Sequence, residues 1–375
     1  MMSNSSTSIK EQNKNMAFTL FRRNIRKFEQ NKLAVFGLII IVIVTGACII
    51  GKLTGIDYAT PVLPEMKKPP SAEHWFGTDT MGRDLFARVL VGGCYSIFIG
   101  VFCSVMSAIV GAGLGALAGY FGGKIDAVLV RISELFQTFP QTVLIMMLVA
   151  IIKQRGMQNL IFIFIVTGWM TTFRMVRNEY ISLKQETYVK VCEAFGISKS
   201  NIMFKQILPN VKSPIIVSIT TNVAAFILSE AGISFIGLGI ADSTPTWGNI
   251  LNIAKAASVV TNQWWIWLFP GLAISLFSLA INFLGDGLRD VMSCECRILV
   301  GSMVPWKYGE CVKRLERIRR IYSVRNMPIV SVTWQEKRAK CMEREFELRA
   351  YKAPMEENPF EMKGSVIKIL RQVVT

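Results

Sequence analysis

The longest uncharged stretch of this chain is VLVGGCYSIFIGVFCSVMSAIVGAGLGALAGYFGG, residues 89–123, which lacks Asp, Glu, Lys and Arg over 35 residues. A helix crosses the hydrocarbon core of a bilayer with about 20 apolar residues, so this stretch is long enough to span a membrane. It decides the fold class, because apolar stretches of this length are typical of membrane proteins.

Four glycines recur every four residues within this stretch: Gly111, Gly115, Gly119 and Gly123. Lipid provides no hydrophobic force between helices, so membrane helices associate by close packing, and small residues at this spacing allow the backbones to approach. We interpret the stripe as a helix-packing scaffold rather than a pore lining.

Five further stretches of 18 to 30 residues carry little or no charge: 33–51, 135–152, 156–173, 213–241 and 256–285. Over the whole chain 51% of residues are hydrophobic and 18% are charged, whereas soluble domains contain about 25% charged residues. We therefore predict an all-α polytopic membrane protein with six transmembrane helices. In the third helix Pro140 is expected to produce a kink, and Arg131 and Glu134 are spaced to form an ion pair.

The distribution of positive charge predicts the orientation. Residues 1–32 carry seven Lys or Arg and two acidic residues, and the connection 174–212 carries seven and three, whereas the connection 52–92 is balanced at five and five. Positively charged connections stay on the cytoplasmic side. We therefore expect residues 1–32 in the cytoplasm, residues 33–51 as the first transmembrane helix and residues 52–91 as an extracytoplasmic loop. Six spans return the C-terminus to the cytoplasm.

Residues 291–375 differ in composition from the predicted spans. They contain seventeen Lys or Arg and ten Glu, alternating with apolar residues. Three interpretations are open for this cytoplasmic extension: a small folded domain, a segment attracted to anionic lipid, or a poorly ordered tail. A sensor that inhibits transport is a further hypothesis for its role.

Several functional classes are disfavoured by what the chain lacks. It contains one histidine, His74, and no Gly-x-x-x-x-Gly-Lys phosphate-binding loop, so we expect neither a hydrolytic active site nor ATP bound by that route. The cysteine spacing matches no zinc site, and we expect no metal. The net charge is +16. Because the Lys and Arg residues are placed as membrane topology requires, membrane lipid is an expected partner and nucleic acid is not. Glu230 is a lone carboxylate deep within a predicted span, where it is expected either to pair structurally or to line a translocation path.

The connection 52–91 has four prolines between residues 61 and 70, which favour an extended loop over a helix. It is followed into the second span by HWFGTDTMGRDLFARVL, residues 74–90. Within this motif Asp79 is expected to cap a helix that begins near Met81.

The segment YVKVCEAFGISKSNIMFKQILPN, residues 188–210, is too charged for a span and too apolar for a solvated loop. Its apolar residues recur at a spacing of four on each side of Gly196. We predict two short helices, 187–195 and 199–208, the second capped by Ser198 and ended by Pro209. Such an amphipathic element either lies on the membrane or docks into a partner's groove. We favour docking of a soluble motor, because the chain shows no energy source of its own.

This segment resembles the coupling loop of ABC-importer permeases, whose pattern is Glu-Ala-Ala, three residues, Gly, and a Leu-Pro pair ending thirteen residues after the Gly. Gly196 and Leu208-Pro209 keep that spacing. Further motifs, in the same order, resemble the C-type permease of dipeptide, oligopeptide and nickel importers. They are HWFGTDTMGRDLFARVLVGG, DAVLVRISELFQTFP, GWMTTFRMVRNEYISLKQETYV, SEAGISFIGLG, PTWGNIL and NFLGDGLRD. The resemblance covers residues 72–290.

The resemblance implies a type I ABC importer permease core at residues 92–287, with five transmembrane helices and a coupling loop at 186–210, in the plasma membrane of a prokaryote. It implies four partners: a second permease subunit as a heterodimer partner, two cytoplasmic ATPases that bind ATP, and an extracytoplasmic solute-binding protein. Di- or oligopeptides are the implied substrates, with nickel chelates as an alternative, and no cofactor is implied on this chain.

The resemblance also implies roles for two sets of residues. The residues expected to couple to the ATPase are Lys190, Val191, Cys192, Glu193, Ala194, Phe195, Gly196, Ile207, Leu208 and Pro209. The residues that match structural positions of the family's motifs are Gly77, Asp79, Gly82, Arg83, Asp84, Arg131, Glu134, Pro140 and Asp286.

The chain departs from the family pattern at Lys190-Val191-Cys192, where the pattern has Glu-Ala-Ala. Because an acid is replaced by a base, we hypothesise that the cognate ATPase carries a compensating acid. The extension 291–375 has no counterpart in the pattern either. An alternative from another class is a self-sufficient channel or ion-coupled carrier. Such carriers often contain inverted repeats and several intramembrane ionisable residues, and we find no repeat and one such residue.

Overall fold

A computed structural model describes residues 26, 28–152 and 156–291 of the chain. The helices, in chain order, are α1 (Lys32–Leu53), α2 (Leu85–Phe121), α3 (Gly123–Thr138), α4 (Gln141–Ile152), α5 (Met157–Lys184), α6 (Thr187–Ala194), α7 (Lys199–Asn201), α8 (Lys212–Ile236), α9 (Trp247–Ile253), α10 (Ala257–Asn262) and α11 (Trp265–Val291). The predicted extension 291–375 lies outside the described residues except for Val291, and so does most of the predicted segment 1–32.

Five helices, α1, α2, α5, α8 and α11, are long and apolar enough to cross a membrane. α3 and α4 pass the same test only as a pair, with a bend of 89° between them. Counting this pair as one broken span gives six spans. The predicted all-α polytopic fold is therefore confirmed for the described residues.

The third span is interrupted at Pro140 rather than kinked. Phe139, between α3 and α4, has an extended backbone with φ −94° and ψ 140°. Proline has no N–H to donate, and its ring disfavours the helical conformation of the residue before it. The prediction of one continuous kinked helix is therefore wrong. The predicted ion pair on α3 is confirmed, since Arg131 Nη1 lies 3.0 Å from Glu134 Oε2.

α2 and α5 pack backbone against backbone along a glycine seam formed by Gly111, Gly115 and Gly119. A Cβ atom added to Gly115 would lie 2.7 Å from the carbonyl oxygen of Phe173, and one added to Gly119 would lie 2.6 Å from Tyr180 Cβ. Only glycine fits in contacts this close, so the scaffold interpretation is confirmed for the seam. The fourth glycine of the predicted stripe begins α3 instead, and nothing lies within 4 Å of its added Cβ.

α3 is held to α5 near its start by a salt bridge. Arg177 Nη2 donates to Asp126 Oδ2 at 2.6 Å, and Arg177 Nε also donates to the same carboxylate. This paired geometry is the strong form of a carboxylate–guanidinium contact. It fixes the first turn of α3 beside the last third of α5.

The loop between α1 and α2 turns tightly around Asp79, whose side chain is fully buried. One carboxylate oxygen accepts hydrogen bonds from the N–H groups of Met81 and Arg83 at 2.8 and 3.0 Å, and the other accepts from Arg83 Nε at 2.7 Å. Gly82 has φ +75°, and a Cβ there would overlap the carbonyl oxygen of Val62. The turn therefore requires both the acid and the glycine.

Asp84, and not Asp79, caps the second span. Its Oδ1 atom accepts a hydrogen bond from Ala87 N at 2.9 Å, and α2 begins at the next residue, Leu85. The prediction that Asp79 caps a helix beginning near Met81 is wrong, because Asp79 is fully engaged inside the turn.

Two arginines join this loop to the connection between α8 and α9. Arg83 Nη1 and Arg88 Nη2 each lie 3.1 Å from an oxygen of Asp242. Arg88 is 1% exposed and Arg83 7% exposed, and buried charges require a partner of opposite sign. Asp242 therefore holds its connection against the first turn of α2.

α11 also contacts the loop at its first residue. Trp265 Nε1 donates to the carbonyl oxygen of Thr78 at 3.1 Å. Gly77, with φ +75°, lies so close to this indole that an added Cβ would be 2.9 Å from Nε1. At the other end of α11, Asp286 is exposed.

His74 lies between two carboxylates in this loop. Its Nδ1 is 2.7 Å from Asp84 Oδ2, and its Nε2 is 3.2 Å from Glu65 Oε2. The hydrogen bond to Asp84, together with the charges of both carboxylates, raises the pKa of His74 above its ordinary value, and this effect exceeds the opposing effect of partial burial. The protonated imidazole therefore braces the cap of α2.

We expect Gly115→Ala to destabilise the protein by about 1–3 kcal/mol, because the added methyl group forces α2 and α5 apart. Thermal unfolding of the purified protein in detergent measures the loss. Gly113→Ala is the matched control, since it lies on the same helix and nothing is within 4 Å of its added Cβ. Equal unfolding temperatures for the two variants would show that the seam does not hold the helices together.

We expect the stability of the 74–84 loop to fall as the pH rises above the ordinary histidine pKa of about 6.5. Because folding raises the pKa of His74, its ion pairs contribute fully below the unfolded pKa of about 6.5, and the contribution is lost as pH rises through the folded pKa. Hydrogen exchange of the loop amides, corrected for intrinsic rates, measures this loss. In the His74→Gln variant the loop amides should be less protected from exchange, and this protection should not decline as the pH rises. An equal decline in the variant would assign the pH dependence to other groups.

Candidate functional site

The segment between α5 and α8, residues 186–210, changes direction at Gly196. α6 agrees closely with the predicted helix 187–195. Gly196 has φ +68° and donates its N–H to the carbonyl oxygen of Glu193 at 2.9 Å, while Ile197 N donates to Cys192 O at 3.1 Å. This left-handed helix end favours glycine, because a Cβ is strained in that conformation.

The second half of the 186–210 segment is not the regular helix predicted for 199–208. After α7 the chain forms a π-helical turn, Ile202–Ile207, and then a 3₁₀ turn, Leu208–Asn210. Pro209 accounts for the change, because it has no N–H and its ring clashes with the carbonyl group four residues earlier, which widens the turn. Ser198 occupies the cap position without a side-chain cap hydrogen bond. Its predicted capping role is therefore wrong.

The apolar face of the 186–210 segment packs against the chain itself. α2 and α5 contribute Ala116, Tyr120, Val176 and Tyr180 to this cluster. The buried residues of the segment are Val189, Cys192, Ile202, Met203 and Ile207. The expectation that this face fills an ATPase groove is wrong for Cys192 and Ile207, because spanning helices already cover them. Cys192 is buried where the family pattern has a small alanine.

Two tyrosines anchor the segment at the end of the glycine seam. Tyr180 Oη donates to the carbonyl oxygen of Met203 at 3.2 Å, and Tyr120 Oη donates to Glu193 Oε1 at 3.5 Å. Lys184 Nζ donates to the Tyr120 carbonyl oxygen at 2.6 Å, where the last turn of α2 needs donors. These tyrosines are not among the predicted site residues, although both lie where an apolar run meets a charged segment.

The outward face of the segment is polar, with one exposed aromatic side chain. Among the predicted coupling residues, the exposed ones are Lys190, Glu193, Ala194 and Gly196, and the partly buried ones are Val191, Phe195, Leu208 and Pro209. Phe204 is 52% exposed beside Lys205, which is also exposed. Phe204 is one of the apolar residues spaced at four within 188–210, but it is not among the predicted site residues. The exposed Phe204 ring is available for contact with a partner, since aromatic side chains are enriched in protein interfaces.

Tyr188 and Asn210 connect the two halves of the segment. Asn210 Nδ2 donates to Tyr188 Oη at 3.0 Å and to the carbonyl oxygen of Gln206 at 3.2 Å. Burial raises the pKa of the Tyr188 phenol, so this group stays neutral at physiological pH. The two halves are thus joined by a neutral hydrogen bond between Asn210 and Tyr188.

Glu230 is enclosed between α2, α8 and α9, with 1% of its surface exposed. Its carboxylate accepts hydrogen bonds from Ser234 Oγ and Thr246 Oγ1 at 2.8 Å each, and from Ser96 Oγ at 3.4 Å. Trp247 N donates to Ser96 Oγ at 3.1 Å, which leaves the hydroxyl hydrogen of Ser96 for Glu230. This geometry supports structural pairing, and a role in the translocation path stays a prediction.

The residues that the structure describes contain no group of three or more His, Cys, Asp or Glu side chains placed to hold a metal ion. The buried charged side chains Arg88 and Glu230 have hydrogen-bonding partners within the chain. The candidate site is the exposed face of the 186–210 segment together with the tyrosines that anchor it.

Comparison with known proteins identifies two matching families. Residues 111–293 match the family described as binding-protein-dependent transport system inner membrane component. Residues 19–70 match the N-terminal TM domain of oligopeptide transport permease C. Residues 71–110, which include the first part of α2, lie between the two matched regions.

Three relatives match this chain over most of their own length. The oligopeptide transport system permease protein OppC of Bacillus subtilis (strain 168) is 34% identical over 282 residues, which cover 75% of this chain and 92% of that protein. The dipeptide transport system permease protein DppC of the same organism is 37% identical over 273 residues, covering 72% and 85%. The probable D,D-dipeptide transport system permease protein DdpC of Escherichia coli (strain K12) is 38% identical over 224 residues, covering 60% and 74%.

These matches agree with a multi-pass membrane protein built around the α2–α5 seam. The predicted resemblance to C-type permeases is confirmed by the matched families and relatives. The chain therefore belongs to the family of inner membrane components of binding-protein-dependent transport systems, as a permease subunit rather than an enzyme.

Proposed function

We propose that this chain is the C-type permease subunit of an ATP-driven importer, and that it forms half of the translocation path for di- or oligopeptides. The observation that carries the proposal is the 186–210 segment, whose apolar face is packed onto α2 and α5 while its polar face is exposed. A force applied to the exposed face reaches the spanning helices directly. The peptide substrate rests on relatives named for oligopeptide, dipeptide and D,D-dipeptide transport.

The proposed importer has four further subunits: a second permease that pairs with this chain, two cytoplasmic ATPases and an extracytoplasmic solute-binding protein. The ATPases bind and hydrolyse ATP, and this chain binds no cofactor. Closure of the ATPases draws the two coupling segments together and rocks the spans between inward-facing and outward-facing states. Gly196 sets the corner of the segment on which the ATPase acts.

In the proposed orientation the chain lies in the plasma membrane of a prokaryote with both termini in the cytoplasm. The 186–210 segment and the 54–84 loop lie at opposite ends of α2, since Tyr120 contacts the first and Asp84 belongs to the second. The excess of Lys and Arg in 1–32 and 174–212 assigns the segment to the cytoplasmic side.

Reconstitution into proteoliposomes tests the proposal and its alternative. The full importer should accumulate a labelled dipeptide only with ATP and the binding protein present. This chain alone, or with the second permease alone, should accumulate none. Peptide movement through this chain without any ATPase would favour a self-sufficient channel or carrier.

We expect Lys190→Glu to weaken association with the cognate ATPase about threefold to tenfold, because Lys190 is exposed and faces a proposed acidic partner. Co-purification and ATP-driven uptake measure the effect. Lys212→Glu is the matched control, since it reverses another exposed lysine just outside the segment. Tighter binding of the Lys190→Glu variant would show that the ATPase surface is basic.

A further inference from the structure

The break between α3 and α4 is exposed over its whole length. Residues 137–143 are all exposed, and among the sixteen residues of α3 only Ser133 is buried. The break also lies inside the uncharged run 135–152, so it is at membrane depth. A helix interruption at this depth has to be explained by what faces it.

The backbone at the break rules out contact with lipid. The last carbonyl groups of α3 and the first N–H groups of α4 have no helical partners. The side chains of Gln137 and Thr138 donate to Ser133 O at 3.1 Å and Glu134 O at 3.0 Å, carbonyl groups one turn earlier that already have helical partners, so they leave the last carbonyl groups of α3 without a donor from these side chains. Irregular backbone at membrane depth is tolerated only where protein covers it or where it lines a water-filled cavity. The break therefore faces one of these two.

The exposed side chains around the break include charged and polar groups beside apolar ones, since Leu135 is 65% exposed and Phe139 and Val143 are each 53% exposed. Arg131 is 85% exposed and Glu134 47% exposed, although they form an ion pair. Gln141 and Thr142, the first residues of α4, are exposed as well. Arg131 and Glu134 directly precede the uncharged run that begins at residue 135, and charged groups are disfavoured in contact with hydrocarbon, so we expect a polar neighbour on the α3 side of the break.

We propose that Arg131, Glu134, Gln141 and Thr142 line the translocation path and bind the peptide in transit. This inference rests on the proposed function and names the groups that meet its substrate. A free peptide carries a carboxylate, an ammonium group and amides. Arg131 offers donors to the carboxylate, Glu134 accepts from the ammonium group, and the amide and hydroxyl side chains both donate to and accept from peptide bonds.

These proposed contacts involve only the chemical groups that all peptides share, namely the carboxylate, the ammonium group and the amides. They do not involve the peptide's side chains, so the path accepts many sequences. Discontinuous helices that expose polar groups to substrate at membrane depth are an established way to build such a path in transporters. The alternative neighbour for the break is the second permease subunit.

Access of water to the break is tested in the assembled importer. Gln141→Cys should react with a charged, membrane-impermeant thiol reagent at least about tenfold faster than Met147→Cys. Met147 is the matched control because it is 52% exposed on the apolar face of the same helix. Peptide mapping by mass spectrometry separates the new thiol from the eight native cysteines. Equal rates would overturn the proposal and assign the break to a contact with the second subunit.

Contact with the peptide is tested by removing both charges together. The double variant Arg131→Gln, Glu134→Gln leaves no charge unpaired, and peptide uptake should fall about tenfold while ATP hydrolysis stimulated by the binding protein stays within about twofold of wild type. Lys124→Gln, which neutralises an exposed charge in the first turn of α3, should leave uptake unchanged. Wild-type uptake by the double variant would overturn the peptide contact.

Failure of the wild-type importer to take up any peptide would instead overturn the proposed function. In that case the Gln141→Cys labelling rate still decides whether the break lines an aqueous path. The two failures are therefore distinguishable.

Discussion

Gly111, Gly115 and Gly119 let the backbone of α2 lie directly against that of α5. Membrane helices gain no hydrophobic free energy by leaving lipid for each other, so this close approach is what joins the two longest membrane helices. The seam also brings Tyr120 and Tyr180 to the same end of the pair, where both hydroxyl groups bond to the 186–210 segment. The position of the 186–210 segment thus depends on three glycines of α2, which have no side chains.

Buried charge organises the opposite end of the helices. Arg88 is almost completely buried, and Asp242 comes from a connection more than 150 residues later in the chain. Removing Asp242 would leave the buried Arg88 guanidinium with Asp79, 3.7 Å away, as its remaining acidic partner, and such a loss costs more than the pair itself contributes. Glu230 adds a second constraint on the same connection through Thr246. The connections at this end are therefore held by specific polar contacts, whereas the spans are held by close packing.

Length and charge were sufficient to predict the spans, because a bilayer imposes one length scale on every crossing helix. The glycine spacing also predicted a packing seam, since few other arrangements require small residues at every fourth position. Local patterns were less informative where two solutions compete. Pro140 was compatible with a kink or a break, and Asp79 and Asp84 both precede apolar residues. Only the folded loop decides which acid is free to cap α2.

The 186–210 segment shows a further reason why some features could be predicted from the sequence and others could not. Periodicity predicted that it has an apolar face, and the structure agrees. Periodicity does not determine which surface covers that face, and Ile207 lies against the chain's own helices rather than toward a partner. Phe204 and the two anchoring tyrosines emerge only once the helices are assembled, because their roles depend on neighbours distant in sequence.

The length of α2 has a mechanical consequence. With 37 residues it is about 55 Å long, well beyond the roughly 30 Å of the hydrocarbon core. Its first turn is tied to Asp242 and its last turn to Glu193 and Lys184. An α-helix resists compression along its axis, so α2 acts as a strut between the two faces of the membrane. In the proposed importer, the surface that receives the binding protein and the surface that receives the ATPase are the two ends of one rod.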